Sequence, residues 1–233
     1  MNKEMVRANF SRGASLYDDQ AFLQKELSDQ LLAMLVDCSP TRILDLGCGT
    51  GYLTGLLAER YPLALVVGID IAPGMIDAAR ERSHPNIRYV VADAENYTEG
   101  RYDLIVANAA LQWMDLSLIF SNVLKLLLPG GRFVFSTFGP RSLGELKACG
   151  FRVNEFPSLE AIAAQLVPFS RKQLQDELIG QTFPGVKELV GHLRSIGANS
   201  PTARIAGPAI RNRRRLPRPF AVTYEVIRGV AVK

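Results

Sequence analysis

Short apolar runs alternate with amphipathic segments along residues 41–137 of this 233-residue chain. Each run is short enough to be a buried strand, and apolar residues recur at helical spacing in the segments between the runs. The predicted strands cover residues 41–46, 65–70, 87–91, 104–108 and 132–137. The predicted helices between them cover residues 53–61, 73–82 and 118–128. This alternation favours parallel βαβ units and an α/β fold with one doubly wound, mostly parallel sheet.

The two ends of the chain extend this pattern. Apolar residues at helical spacing predict that residues 1–38 are helical up to the break at Ser39-Pro40. Beyond Phe138 the pattern loosens, and the elements predicted there are a helix over 158–166, a strand over 173–181, a helix over 184–196 and a strand over 222–227. The two additional strands bring the sheet to seven. We therefore predict a helical extension over 1–38 and one sheet domain over 39–233.

Three glycines alternate where the first predicted strand ends, at Gly47, Gly49 and Gly51. Glycine has no Cβ, so such a loop lets a ligand contact the backbone. The dinucleotide fingerprint has its third glycine one residue later and binds pyrophosphate at the helix N-terminus. Here the glycines are closer and Asp45 precedes them, which disfavours phosphate and suits a ligand with a cationic part. S-adenosylmethionine, with its sulfonium and ammonium groups, is such a ligand; a tight turn that binds nothing remains the alternative.

Polar side chains end four of the predicted strands. They are Asp45, Asp70, Asp93 and Asn108. Parallel α/β sheets bind ligands beyond the carboxyl ends of their strands, and these ends meet at one edge. One such aspartate is often only a turn former, whereas four together predict a binding rim.

Composition excludes several classes of protein. Hydrophobic residues make up 48% and charged residues 21%, which is ordinary for a globular protein. No run of 18 apolar residues and no apolar segment of a signal peptide occurs, so a secreted or membrane-spanning protein is not expected. The three scattered cysteines and two isolated histidines show no metal-ligand spacing. An odd, scattered set of cysteines fits a reducing cytoplasm.

The net charge of +4 is concentrated in one segment. Seven arginines and no acidic residue lie between Leu189 and Tyr224. Without these seven, 20 basic residues would face 23 acidic ones. A local basic patch attracts an acidic partner, which could be nucleic acid or an anionic protein, or it is simply a solvated loop.

The order of these motifs resembles the class I S-adenosylmethionine-dependent methyltransferases, most closely over residues 40–140. The resemblance implies a Rossmann-like methyltransferase fold, with the Asp45–Gly51 loop around the methionyl part and Asp70 on the ribose hydroxyls. Asp93 and Ala94 would contact the adenine amino group. The remaining residues implied in cofactor binding are Gln24, Ile71, Met75 and Asn108. The helices of residues 1–38 would form a lid that excludes water.

The fourth strand ends in the segment Asn108-Ala109-Ala110-Leu111-Gln112-Trp113. It lacks the two prolines of methyltransferases that modify base amino groups, which argues against a nucleic-acid substrate. It resembles the malonyl-[acyl-carrier-protein] O-methyltransferase family, which starts the pimeloyl chain of biotin. The resemblance extends to four further segments, over residues 10–17, 136–146, 197–199 and 223–226. Part of it also fits the trans-aconitate-type carboxyl methyltransferases. The stretch Lys147–Gly150 is shorter and less aromatic than in that family.

The resemblance implies transfer of a methyl group to a carboxylate that is already ionised at neutral pH, so no general base is needed. Arg141 is the expected partner of that carboxylate because a guanidinium binds it bidentately. Tyr17 is expected to donate to it or to shield the methyl group, and Gln112 and Trp113 are expected to line the acyl channel. An acidic acyl carrier protein would dock on the Arg204–Arg218 patch. The alternatives are a methyltransferase for another small acid and an RNA-binding protein that uses this fold as a platform.

Overall fold

The computed structural model describes residues 2–82, 84–198 and 217–233, which form seven strands and eight α-helices. The strands are β1 (Arg42–Leu46), β2 (Leu65–Asp70), β3 (Ile87–Val91), β4 (Tyr102–Asn108), β5 (Leu127–Phe138), β6 (Arg171–Phe183) and β7 (Phe220–Val232). The helices are α1 (Lys3–Gln20), α2 (Phe22–Ala33), α3 (Tyr52–Arg60), α4 (Pro73–Arg80), α5 (Leu116–Leu126), α6 (Gly144–Ala148), α7 (Leu159–Gln165) and α8 (Val186–Ser195). A 3₁₀ turn over Leu111–Trp113 follows β4.

The strands form one sheet in the order β3-β2-β1-β4-β5-β7-β6. Neighbouring strands among β1 to β5 are parallel, and β7 is antiparallel to both β5 and β6. The predicted doubly wound, mostly parallel, seven-stranded sheet is therefore confirmed. The strand order reverses between β1 and β4, and such a point leaves a crevice at the carboxyl ends of the strands.

Alternate residues of the central strands pack against different helices. Ile43 of β1 belongs to an apolar cluster with leucines of α2 and α3, whereas Leu44 belongs to a cluster with α5 and α7. Both side chains are fully buried. A strand buried on both faces reads as a continuous apolar run, which is why β1 and β4 show no polar alternation.

The structure changes the predicted boundaries where a segment pairs with distant residues. Residues 127–131 were predicted as the end of a helix and a turn, but they begin β5, because Leu127 pairs with Tyr102 of β4 and the Gly130 N–H donates to the Lys233 carbonyl. β7 continues to Val232 rather than ending at residue 227. The short helix α6 was not predicted. Most of the irregular stretch predicted over 198–219 lies outside the described residues.

α1 packs across the carboxyl edge of the sheet, against α4 and α8. Its contact with α4 depends on Gly74, because a Cβ at this position would lie 2.7 Å from the Ser11 carbonyl oxygen of α1. α2 continues from α1 at Ala21 and packs against α3. Among the described residues, every helix is too short or too polar to cross a membrane.

Candidate active site

The loop between β1 and α3 has a backbone that only glycine adopts readily. Gly47, Gly49 and Gly51 have φ angles of +69°, +55° and +79°. A Cβ at Gly47 would also lie 2.7 Å from the Cβ of Ala110. The three glycines are therefore required by the backbone conformation of the turn, and Gly47 also by its close approach to the segment after β4.

The amide groups of this loop are already used within the protein. The N–H groups of Gly47 and Cys48 both donate to the Ile69 carbonyl, at 2.8 and 2.9 Å. The Gly49 N–H donates to Oδ2 of Asp70 at 3.0 Å. A phosphate site needs free N–H groups that point at the ligand. This loop does not offer them at these three positions, in agreement with the expectation that its ligand is not a pyrophosphate.

Asp45 is the penultimate residue of β1, just before the loop, and is 1% exposed. Its Oδ2 accepts a hydrogen bond from Oγ1 of Thr54 at 2.6 Å. Burial, assisted by the nearby charge of Asp70, raises the pKa of Asp45 to about 7, although the bond from Thr54 opposes the rise. Among the described residues, no lysine or arginine forms an ion pair with Asp45, so a cationic ligand would stabilise its carboxylate form.

Asp70 ends β2 and is partly buried. Its Oδ1 accepts from the Ala72 N–H at 2.8 Å, so the carboxyl group links the glycine loop to the start of α4. Burial raises the pKa of Asp70 to about 6, and the backbone hydrogen bonds from Ala72 and Gly49 limit the rise. Its position is therefore fixed, and each oxygen keeps a lone pair for a further donor.

Two connected cavities surround the glycine loop. The glycine-loop cavity has about 670 Å³ of empty space, and the Asp45 cavity has about 410 Å³. Of the residues predicted to bind a cofactor, those lining the glycine-loop cavity are Gly47, Gly49, Asp70, Ile71, Met75, Asp93, Ala94 and Asn108. Those lining the Asp45 cavity are Gln24, Asp45, Gly47, Gly49 and Asn108. Gly51 lines neither cavity; it forms the left-handed cap of α3.

Asp93 lines the glycine-loop cavity and is bound to the N-terminal helix. Its Oδ2 accepts from Nζ of Lys3 at 2.7 Å, and Lys3 also contacts Oε2 of Glu95 at 2.5 Å. Burial alone would raise the pKa of Asp93, but the hydrogen bonds from Lys3, the Glu95 N–H and Asn96 outweigh it and lower the pKa. Lys3 therefore ties α1 to the wall of the cavity at Asp93 and Glu95.

Asn108 lines both cavities, but its side-chain amide is already bonded. Its Nδ2 donates to the Gln24 carbonyl and to Oγ of Ser28, each at 2.7 Å, and its Oδ1 accepts from Oγ of Ser136 at 2.5 Å. The expected contact of Asn108 with a cofactor would therefore be a van der Waals contact of its side chain or a hydrogen bond of its backbone. The amide itself holds α2 against β4 and β5.

A third cavity, about 970 Å³ in empty volume, lies beside the first two and is lined mainly by apolar side chains. We call it the apolar cavity. It shares four lining residues with the glycine-loop cavity, which are Phe10, Tyr17, Ala109 and Trp113. The rings of Phe10 and Trp113 meet edge to face with centroids 5.4 Å apart. The two cavities thus meet at a junction formed by α1 and the segment after β4.

Tyr17 lines all three cavities. Burial, with the charges of Asp70 and Asp18, raises the pKa of Tyr17 well above its ordinary value. The phenol is therefore neutral and a hydrogen-bond donor at any physiological pH. Within the described part of the chain, no protein group accepts a hydrogen bond from it.

The two residues predicted to line an acyl channel both lie on the wall of the apolar cavity. The amide of Gln112 is saturated, because Nε2 donates to the Ala109 carbonyl at 2.6 Å and Oε1 accepts from Oγ1 of Thr137 at 3.0 Å. Trp113 is partly exposed to the cavity and packs against Phe10. Gln112 thus shapes the wall, whereas Trp113 can contact a ligand.

Arg141 lines none of the three cavities, which departs from the expectation that it binds an acceptor carboxylate. Its guanidinium already has two carboxylate partners. Nε donates to Oε1 of Glu225 at 2.9 Å, and Nη2 pairs with both Glu225 and Asp176. The side chain is 53% exposed. In this structure Arg141 ties the segment after β5 to β6 and β7.

Three of the lining residues that were not predicted bear on the chemistry of the site. Phe10 lies seven residues before Tyr17, a spacing that puts both on one face of α1, so the helical period could have revealed it. Lys3 has partners about 90 residues away, and no local pattern signals such a pair. Arg152 lines the apolar cavity from the loop between α6 and α7. Within the described ranges, no group of three His, Cys, Asp or Glu side chains could hold a metal ion.

Comparison with known proteins agrees with this geometry. Residues 43–131 match a family model described as a methyltransferase domain. The solved structure of the plantazolicin methyltransferase BpumL in complex with SAH is 17% identical, with a TM-score of 0.62 over 99% of this chain and 94% of that one, which shows a shared fold. The fold and the site thus define a class I methyltransferase.

The particular family follows from full-length relatives. The malonyl-[acyl-carrier protein] O-methyltransferase of Nitrosospira multiformis is 35% identical over 96% of this chain and 88% of that protein. The enzyme of the same name from Laribacter hongkongensis is 32% identical over 99% of this chain and 89% of that protein. The chain belongs to the malonyl-[acyl-carrier protein] O-methyltransferase family.

Proposed function

We propose that the protein transfers a methyl group from S-adenosylmethionine to the free carboxylate of a malonyl thioester carried by an acyl carrier protein. One observation carries the proposal: the glycine-loop cavity, which contains the buried carboxyl group of Asp70 and adjoins the Asp45 cavity, meets an apolar cavity across Phe10, Tyr17 and Trp113. The first suits a cationic methyl donor, and the second suits an acyl acceptor. The product ester has lost the acceptor's charge, so fatty-acid enzymes can extend it toward the pimeloyl chain of biotin.

The donor is assigned by the charges around the glycine loop. Asp45 would face the ammonium and sulfonium end in the Asp45 cavity, where a cation offsets the cost of its burial. Asp70 would accept from the two ribose hydroxyls. Ile71 and Met75 would contact the adenine ring, and Asp93 would accept from its amino group.

The reaction needs positioning rather than proton transfer. A carboxylate oxygen forms a bond to the methyl carbon while the carbon–sulfur bond breaks, which leaves a methyl ester and S-adenosylhomocysteine. The acceptor carboxyl is ionised at neutral pH, so no base is required. Tyr17 would donate a hydrogen bond that orients the attacking carboxylate, while the apolar walls exclude water and keep the three reacting atoms in line.

The N-terminal helix acts as a lid in this proposal because it contributes Lys3, Phe10 and Tyr17 to the cavity walls. Its far end is held by Asp18, whose Oδ1 accepts from Oγ1 of Thr50 at 2.7 Å and whose Oδ2 pairs with Arg82. The lid therefore closes the donor site through ion pairs at both ends.

Replacing Gly74 by alanine is expected to weaken binding of S-adenosylmethionine several-fold. The added Cβ would approach the Ser11 carbonyl to 2.7 Å, so α1 must shift away from the donor cavity. Calorimetric titration and limited proteolysis of the N-terminal segment measure the two effects. Gly55→Ala is the matched control, since a Cβ there meets nothing within 4 Å. Equal behaviour of the two variants would show that the α1–α4 contact does not govern the lid.

Replacing Arg141 by alanine is expected to lower the melting temperature by a few degrees. Glu225 is buried, and without Arg141 its carboxylate loses its main cationic partner. The KM for the acceptor should change little at a temperature well below unfolding, because Arg141 lines none of the cavities. A large rise in that KM with an unchanged melting temperature would instead restore the role in acceptor binding expected from the sequence.

The carrier protein is proposed to dock beside α8, which supplies one wall of the apolar cavity. Arg194 near the end of α8 is exposed, as is Arg218 before β7. Five further arginines of this patch, at positions 204, 211, 213, 214 and 215, lie outside the described residues. Acyl carrier proteins are strongly acidic, so such a patch would steer them toward the cavity.

A labelled-methyl assay tests the proposed function. We expect label from S-adenosylmethionine on malonyl-acyl carrier protein and none on free malonate or aconitate. Label on aconitate in preference to any malonyl thioester would establish the alternative of another small-acid methyltransferase. The RNA-binding alternative would require salt-sensitive RNA binding that is lost when residues 213–215 are replaced.

A further inference from the structure

The apolar cavity is much larger than the group that reacts. A malonyl group has six non-hydrogen atoms and would occupy less than roughly 200 Å³, if each takes no more space than a water molecule. The cavity has about 970 Å³ of empty space, part of which is open to solvent. The remaining volume is available to the chain that carries the malonyl group.

Arg152 is the single lysine or arginine among the described residues that line this cavity. Its side chain is exposed, and it makes no ion pair or hydrogen bond with any other described residue. His192, also on the wall, has its pKa lowered by burial and is therefore neutral near pH 7. Arg152 is thus the one fixed positive charge that the described cavity wall offers.

The location of Arg152 separates it from the reacting end. Arg152 lines neither the glycine-loop cavity nor the Asp45 cavity. The junction residues Phe10, Tyr17 and Trp113, by contrast, line both the apolar cavity and the glycine-loop cavity. At the junction the acceptor carboxylate would lie next to the sulfonium, which already supplies a positive charge. An exposed guanidinium on the outer part of the wall suits a second anion, and it binds phosphate oxygens bidentately.

We propose that Arg152 binds the phosphate of the 4′-phosphopantetheine arm and so selects acceptors carried on this arm. The inference rests on the proposed function, because it assigns a second contact to the same acceptor. The phosphate is common to acyl carrier protein and coenzyme A. Arg152 therefore distinguishes phosphorylated thioesters from unphosphorylated ones.

Steady-state kinetics with three acceptors test this inference. The acceptors are malonyl-pantetheine, which lacks the phosphate, malonyl-phosphopantetheine and malonyl-acyl carrier protein. For Arg152→Gln we expect KM to rise roughly tenfold for the two phosphorylated acceptors and to stay unchanged for malonyl-pantetheine. Arg152→Lys should recover part of the loss. Arg101→Gln is the matched control, because Arg101 is exposed just before the amino end of β4 and lines none of the cavities.

The other outcomes overturn the proposal in different ways. An equal rise in KM for all three acceptors would mean that Arg152 contacts the malonyl group or the thioester. Unchanged KM values throughout would mean that Arg152 is simply solvated. If the unmodified enzyme methylates none of the three thioesters, the proposed function fails and this inference fails with it.

Discussion

Replacing Asp45 by asparagine is expected to weaken S-adenosylmethionine binding by roughly 10- to 100-fold. A loss of this size is typical when a hydrogen bond or ion contact to a charged partner is removed. Asp45 is buried in the Asp45 cavity, and no cation neutralises it among the described residues. Asparagine keeps the size of the side chain and can still accept from Thr54, so the change removes mainly the charge. Isothermal titration calorimetry of the two proteins measures the difference.

The same substitution is expected to raise the melting temperature of the ligand-free protein. The Asp45 carboxyl ionises near pH 4 when unfolded and near pH 7 when folded, so its ionisation favours the unfolded state between these values. Its cost to stability therefore grows as pH rises from about 4 to about 7 and is complete above pH 7. The stabilisation by Asp45→Asn should follow that window, being small at pH 5 and largest at pH 8.

Binding should show the reverse pH dependence. A cationic ligand prefers ionised Asp45, so affinity should increase from pH 5.5 to pH 7, with release of a proton on binding at the lower pH. Asp45→Asn should flatten much of this rise, and the remainder would report Asp70, whose pKa is about 6. Asp77→Asn, on the exposed side of α4, is the matched control. Unchanged affinity in Asp45→Asn would contradict the assigned position of the cation.

Replacing Tyr17 by phenylalanine is expected to lower kcat roughly 10- to 100-fold while the Kd of S-adenosylmethionine changes little. The substitution removes only the hydroxyl, which is the donor proposed to orient the attacking carboxylate at the junction of the cavities. The aromatic ring, which forms part of the lid, is retained. Rapid-quench measurement of a single turnover separates the chemical step from binding.

The pH profile gives a second measure of the role of Tyr17. Because the pKa of Tyr17 is raised far above neutrality, its hydroxyl should stay protonated between pH 7 and 9. The pH profiles of the unmodified enzyme and of Tyr17→Phe should therefore have the same shape over this range. Tyr61→Phe is the matched control, as the Tyr61 hydroxyl contacts Sγ of Cys38 and lines none of the cavities. A variant Tyr17→Phe with unchanged kcat and weaker donor binding would mean that Tyr17 serves only as a lid contact.

Most of the central sheet was predictable because its strands are set by local patterns. Apolar runs bounded by turn residues located β1 to β4 to within about two residues, and the alternation with helices implied a parallel order. The long antiparallel pair β6 and β7 was placed but underestimated in length. Its residues alternate only weakly between apolar and polar, and its 13-residue register is held by pairing between distant segments.

The proposed donor site also follows largely from the sequence. Its residues lie at strand ends, and the rule that these ends converge at one edge converts a linear spacing into a spatial cluster. Gly47 and Gly49 follow from local backbone geometry, and Asp45 and Asp70 from the strands they end. The side-chain bonds of Asn108, which hold α2 instead of facing a ligand, and the bond from Lys3 to Asp93 required the tertiary structure.

The acceptor side depended on tertiary structure. Arg141 was selected from its sequence neighbourhood, but Glu225 and Asp176, 84 and 35 residues away, take its charge. Arg152 lies in a loop without a pattern, and its place on the cavity wall results from how α1, α6 and α8 pack together. The sequence by itself thus determined the central sheet, the glycine loop and the carboxyl groups at the strand ends, because strand periodicity and backbone constraints are local. Which cation lines the apolar cavity was decided only by the fold, because a side chain's surroundings are set by packing between segments far apart in the chain.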